Sequence, residues 1–124
     1  MTRVQILITL ILSSILLSKC ESNNYQIIGV ANDVTGLLIG DEIIENGVPL
    51  GIVRDIQLSQ KGIPIVVLEF ENKYSFPIDS KFVIENKDIF GSKEINIIIG
   101  AEKELIQKKD SVHLIQESAN HTNE

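Results

Sequence analysis

Carboxylates are the side chains of this chain best placed to do chemistry. Asp41 adjoins Glu42, Glu69 and Glu71 stand two apart, and Asp88 follows Lys87. Paired acids can split proton donation from proton acceptance when their surroundings separate their pKa values. Glu69 and Glu71 would share one face of a strand. Acids on strands and loops ordinarily serve solubility, however, and nothing near these adds a partner. Ser59, Ser80, Ser92 and Ser111 have no histidine at the spacing of a nucleophile and its base. His113 and His121 have no further ligand at metal-site spacing, so no zinc site is expected. His113 falls in a strand-like run and is expected to face solvent. The glycines fit no Gly-x-x-x-x-Gly-Lys cradle and read as turn residues. The expectation is a protein that is not an enzyme and needs no cofactor.

One apolar pair resists so plain a reading. Ile89 and Phe90 sit between Asp88 and Gly91, in a loop flanked by Lys87 and Lys93. Loops run over the surface and are normally polar. A bulky pair at a loop tip is either a plug folded back onto the core or an exposed contact surface. The sequence leaves both open.

The elements that position this loop are strands. Asn46-Gly47 is a strong hairpin signal, because a type I′ turn needs φ > 0 at both central residues. It predicts strands over 41–45 and 48–58. Pro49 has no amide N–H, which puts it at an edge or near a strand start. Residues 25–32 alternate weakly and read as a strand. Residues 63–70 form a near-continuous apolar run, as in a strand buried on both faces or closed into a barrel. In 81–85, Phe82 and Ile84 share a face; in 94–99, Ile95, Ile97 and Ile99 are expected to face the core together. Residues 111–116 make the last strand. The polar stretch 101–109 allows a helical turn. Seven short strands mean an all-β sandwich or barrel, and pattern alone does not choose between them.

The 124-residue chain holds one domain. Its expected organisation is a targeting segment over 1–20, a β-domain over 21–116 and a disordered tail over 117–124. Formal net charge is −6, and −8 without Arg3 and Lys19. An acidic domain does not track a phosphate backbone, so nucleic acid is not an expected partner. Nor is electrostatic binding to anionic headgroups. The apolar run from Val4 to Leu17 has three readings. A cleaved secretory signal is spoiled by Lys19. A lipoprotein signal would acylate Cys20, the single cysteine, but has Lys19 where a small residue belongs. An anchor helix has only 15 residues between Arg3 and Lys19, against the roughly 17–25 needed to span, although lysine can snorkel. Each reading exports the domain from the cytoplasm.

Residues 25–115 resemble the mammalian cell entry (MCE) domain of bacterial lipid-transport systems. The resemblance rests on order and spacing: Val34 with Gly36-Leu37, then Gly47-Val48, Leu50-Gly51-Ile52-Val53 and Asp55-Ile56-Gln57-Leu58. Downstream, Ile78-Asp79-Ser80 matches a family turn, with Pro77 before the isoleucine. Ile89-Phe90-Gly91 matches the family's Leu-Leu-Gly loop, and 95–100 its last long strand and glycine. Lys109-Asp110-Ser111-Val112 stands where the family has Gly-Asp-x-Ile, without the glycine.

The resemblance implies a compact seven-stranded β-barrel after an apolar anchor. It favours a single inner-membrane anchor with the barrel in the periplasm, and Cys20 lipidation remains the alternative. It implies a homo-hexameric ring on an ABC permease with its ATPase, passing lipid, expected to be phospholipid, through an apolar centre. Ile89 and Phe90 would be the lipid-contacting loop of that centre. A membrane-tethered structural or adaptor barrel without transport is the competing reading. A monomeric lipid carrier is the weakest, since so small a barrel is filled by side chains.

Overall fold

Strand alternation decides which side chains turn inward, and here it closes a sheet on itself. The computed structural model describes residues 2–15 and 23–117. A helix, α1 (Thr2–Ile15), stands first. The strands are β1 (Asn24–Val30), β2 (Glu42–Glu45), β3 (Val48–Leu58), β4 (Pro64–Glu71), β5 (Lys81–Asn86), β6 (Lys93–Ile98) and β7 (Ser111–Gln116). They form a closed barrel in the order β1-β4-β3-β2-β6-β5-β7. Closure comes from the parallel pairing of β7 with β1, in which Gly29 lies opposite Val112. A closed barrel leaves no sheet edge exposed.

Barrel, then, rather than sandwich, is the architecture. The Asn46-Gly47 turn takes the expected form, with φ of 49° and 80°. Pro49 lies at the second residue of β3, opposite Ile44 and beside a register shift between Ile43 and Ile44. That irregularity is where a residue without a donor is tolerated. A second shift, between Val53 and Asp55, leaves Arg54 outside the β3–β4 register.

The interior is solid. Ile27, Ile43, Val53, Leu68, Phe82 and Ile95 are fully buried. Rings pass down it as a stack: Tyr25 to Phe70 at 5.7 Å, Phe70 to Phe76 at 4.9 Å and Phe76 to Phe82 at 6.1 Å between centroids. Burial pushes the Tyr25 hydroxyl up to about 12. Side chains fill the barrel as the strand count requires.

Two expectations fail near one end. Ile99 is 41% exposed, because β6 stops at Ile98 and the alternation stops with it. Residues 101–109 form no helical turn. Their backbone is taken up elsewhere: Asp79 carboxylate oxygens accept from the Ala101 and Glu102 amides at 2.8 and 3.0 Å. Leu105 bridges to Pro77, and the Ile106 amide donates to the Phe76 carbonyl at 2.8 Å. Lys109, where the MCE pattern has glycine, keeps a left-handed backbone with φ of 66°.

The 14 residues of α1 rise about 21 Å, short of a hydrocarbon core of about 30 Å. No helix among the described residues is long and apolar enough to cross a membrane. The Thr9 hydroxyl donates to the Gln5 carbonyl at 2.8 Å, and Ser14 to that of Ile11 at 3.3 Å. Both polar side chains are thus satisfied within the helix. Cys20 and the end of the expected anchor lie outside the described residues, as does the tail beyond residue 117.

Candidate functional site

Strand directions sort the connections into two ends. One end carries the Asn46-Gly47 turn and the long loops 72–80 and 99–110. The other carries the loop from β1 to β2, the β3–β4 turn and the loop from β5 to β6. Ile89 and Phe90 are at this second end, 93% and 87% exposed. They do not plug the barrel.

Their exposure is built, not slack. The Lys87 amide donates to the Ser92 carbonyl at 2.8 Å, closing the loop across its base. One Asp88 oxygen accepts from the Phe90 amide at 2.8 Å and the Ser92 amide at 3.3 Å. Those amides, the Phe90 one foremost, hold the Asp88 carboxyl below its ordinary value. Gly91 supplies the left-handed residue, φ 89°, that turns the chain back. Lys87 pairs with Glu42 at 3.4 Å, and Lys93 donates to Asn86 at 2.7 Å. The two lysines are thus bound down beside the apolar tip.

A second apolar pair shares this end. In the β1–β2 loop, Leu37 is buried while Leu38 and Ile39 are 67% and 63% exposed. The Leu37 amide donates to the Val34 carbonyl, the Leu38 amide to Asp41 at 2.8 Å, and the Gly40 amide to the Val53 carbonyl of β3 at 2.8 Å. The loops meet at Gly36. A Cβ there would lie 3.3 Å from Lys93 side-chain carbons and 3.4 Å from the Gly91 carbonyl oxygen. Leu38 stands out in the sequence only as an apolar loop residue; nothing there brings the two loops together.

The polar candidates are dispersed. Asp41, Asp79 and Asp88 cap backbone amides. Glu69 faces Arg54 at 3.8 Å, and Glu71 pairs with Lys73 at 3.0 Å. Ser59 and Ser80 accept from loop amides, and His113 is exposed. Among the described residues, no group of three His, Cys, Asp or Glu side chains could hold a metal ion. These acids serve as amide caps and ion-pair partners, and the large side chains displayed at the second end are apolar.

The chain is a closed seven-stranded barrel that displays an apolar β5–β6 loop at one end. The family model for the MlaD protein matches residues 23–100, and the chain belongs to that family. A chain of the Acinetobacter MlaFEDB complex, solved in the ATP-bound Vtrans1 conformation, has a similar fold at a TM-score of 0.69. The match covers 94% of this chain and 91% of that one at 13% identity. No curated protein matches the sequence significantly.

Proposed function

We propose that this protein is the periplasm-facing MCE subunit of a bacterial lipid-transport system, in which copies surround an apolar passage lined by Ile89 and Phe90. The observation that carries the reading is the pair itself: two large side chains held almost fully in solvent by a loop that Asp88 and Gly91 make rigid. Family membership supports the assignment to lipid transport, and the solid interior supports its geometry. Lipid has no route through a filled barrel, so a passage lies between copies. A homo-hexamer would bring six such pairs around one axis. Acyl chains would then cross without entering water, where each exposed CH₂ costs about 0.8 kcal/mol.

The matched fold belongs to a complex solved with ATP bound. That supports an ATPase and an ABC permease as partners here. The N-terminal apolar segment would hold the domain at the inner membrane, through a helix or through acylated Cys20. The test is the double variant Ile89→Asn with Phe90→Asn. It abolishes lipid transfer while leaving the native mass unchanged. The melting temperature moves by no more than about 3 °C, because exposed residues carry little packing. Transfer at the native rate would overturn the reading.

A further inference from the structure

One buried polar group is left unused by the fold. Tyr25 is 8% exposed, and its hydroxyl is sealed from water with no hydrogen-bond partner among the described residues. A buried tyrosine hydroxyl ordinarily has one. Burial raises its pKa to about 12, so it stays a protonated donor at physiological pH. Tyr25 lines a recess of about 190 Å³ between loops 72–80 and 99–110, where Tyr74, Leu105 and Ile106 supply apolar walls. With Lys109 it also lines a neighbouring recess of about 240 Å³. Lys108 is exposed and lines both. Salt bridges among the described residues engage Arg54, Lys73 and Lys87, and neither Lys108 nor Lys109. Glu69, the one carboxylate lining the second recess, faces Arg54 at 3.8 Å. Lys109 keeps its place at φ 66°, its amide donating to the Gln26 carbonyl at 2.8 Å, although glycine would take that backbone more easily.

An orphan donor, two ammonium groups and an apolar wall thus share one groove. Phosphate oxygens accept from hydroxyl and ammonium donors alike. We infer that the groove around Tyr25, Lys108 and Lys109 binds a phosphate ester. The Tyr25 hydroxyl and the two lysines donate to its oxygens, and Leu105 and Ile106 take its carbon portion. An acceptor reaches the hydroxyl only as the lining side chains part, and Lys108, long and exposed on both recesses, is the one that moves. Two sources carry this group, a phospholipid headgroup and a soluble phosphate. A recess of this size holds a body as large as benzene, more than a phosphate ion fills, which favours the headgroup. The N-terminal segment also joins the barrel beside the groove, since β1 begins at Asn24. The groove lies at the end of the barrel opposite Ile89 and Phe90 and is a site distinct from the passage proposed there.

Tyr25 and Tyr74 are the only tyrosines, and there is no tryptophan. Both tyrosines line the smaller recess, so intrinsic fluorescence reports this groove alone. The full chain in an uncharged detergent is titrated with monomeric dihexanoylphosphatidylcholine and, separately, with inorganic phosphate. The lipid probe has no net charge, so the chain's net charge of −6 neither draws nor repels it. The expected result is a saturable change with the lipid. Its affinity falls about tenfold in Tyr25→Phe, where Tyr74 still reports, and in Lys108→Ser with Lys109→Ser. Ile89→Asn with Phe90→Asn keeps the response. Without ligand, Tyr25→Phe melts no lower than the parent, because it removes an unpaired buried hydroxyl. Equal affinity for inorganic phosphate would assign the groove to the soluble source. No saturable response to either probe, or one that Tyr25→Phe leaves unchanged, would overturn the proposal. So would loss of the response in the Ile89 and Phe90 double variant, or a lower melting temperature in Tyr25→Phe, which would mean that the hydroxyl is already paired.

Discussion

At one end of the barrel Phe76 and Ile106 turn inward, 2% and 7% exposed; at the other, Ile89 and Phe90 turn outward, 93% and 87% exposed. Both pairs come from loops, and both loops are held by an aspartate capping backbone amides. The difference lies in what the loops cover. Loops 72–80 and 99–110 fold over the barrel mouth and pair with each other through Pro77 and Leu105, so their apolar residues complete the ring stack. The β5–β6 loop closes its backbone across its own base, Lys87 to Ser92, and ties outward only through side chains such as Lys87 to Glu42, while Leu37 of the β1–β2 loop belongs to the core cluster. Apolar residues in a loop are therefore structural where the loop closes a core. Where another element has already closed it, they are available for contact.

The comparison breaks first on phenylalanine. Phe76→Ala removes a ring from the middle of the stack and should cost about 3–5 kcal/mol. Phe90→Ala should stay within about 0.5 kcal/mol of the parent. Urea melts of the two variants measure this. Equal losses would mean that the Phe90 loop packs after all.

Backbone strain should cut across the two ends instead of separating them. Gly47 and Gly91 lie at opposite ends, with φ of 80° and 89° and no atom near the Cβ either would gain. Gly47→Val and Gly91→Val should each lose about 1–3 kcal/mol, from φ alone. Lys109→Gly should do the reverse. It relieves a left-handed lysine at φ 66°, at the cost of a more flexible unfolded chain, and the net gain should be below about 1 kcal/mol. Thermal melts that ranked Gly91→Val as neutral would make that loop pliable rather than rigid.

The aspartate caps sharpen the comparison through pH. Accepted amide hydrogen bonds hold the Asp79 and Asp88 carboxyls below their ordinary value. A depressed folded-state pKa contributes stability above the unfolded value, near 3.9. That contribution is lost as pH falls through the lowered folded value. Asp79→Asn should lower the melting temperature at pH 7 and flatten its fall in acid. Asp88→Ala removes the acceptor and should lower melting at pH 7 by less than Asp79→Asn does, while freeing the Phe90 amide, which hydrogen exchange at that residue would detect above pH 4. Equal melting losses would tie both loops to global stability.

Much of this was legible in the sequence where local chemistry decides. Asn46-Gly47 fixed a hairpin because few other residues accept its φ values, and β3 and β7 run over the expected residues. Alternation placed Phe82 and Ile84 inside. What was not legible depends on contacts distant in sequence. The clamp of Asp79 takes up the amides of residues 101 and 102 where a helical turn was expected, and Ile99 leaves the inward alternation because β6 ends at Ile98, opposite the first residue of β5. Phe76 and Ile106 join the core because two loops pair across some 28 positions. The Ile89–Phe90 tip was visible as an anomaly, since an apolar pair between Asp88 and Gly91 is unusual in a loop. Whether it plugged or projected depends on how residues distant in sequence fill the core, Leu37 among them, and no pattern near residue 90 announces that.

The central claim is that Phe90 touches lipid in a passage between copies. The direct measurement is a photo-crosslinking amino acid at position 90 of the full chain, irradiated in cells, with the captured species read by mass spectrometry. A second probe at the buried Phe76 serves as the control. The account predicts phospholipid adducts at 90 and none at 76. Adducts absent from position 90, in a protein whose melting temperature and native mass match the parent, would contradict it.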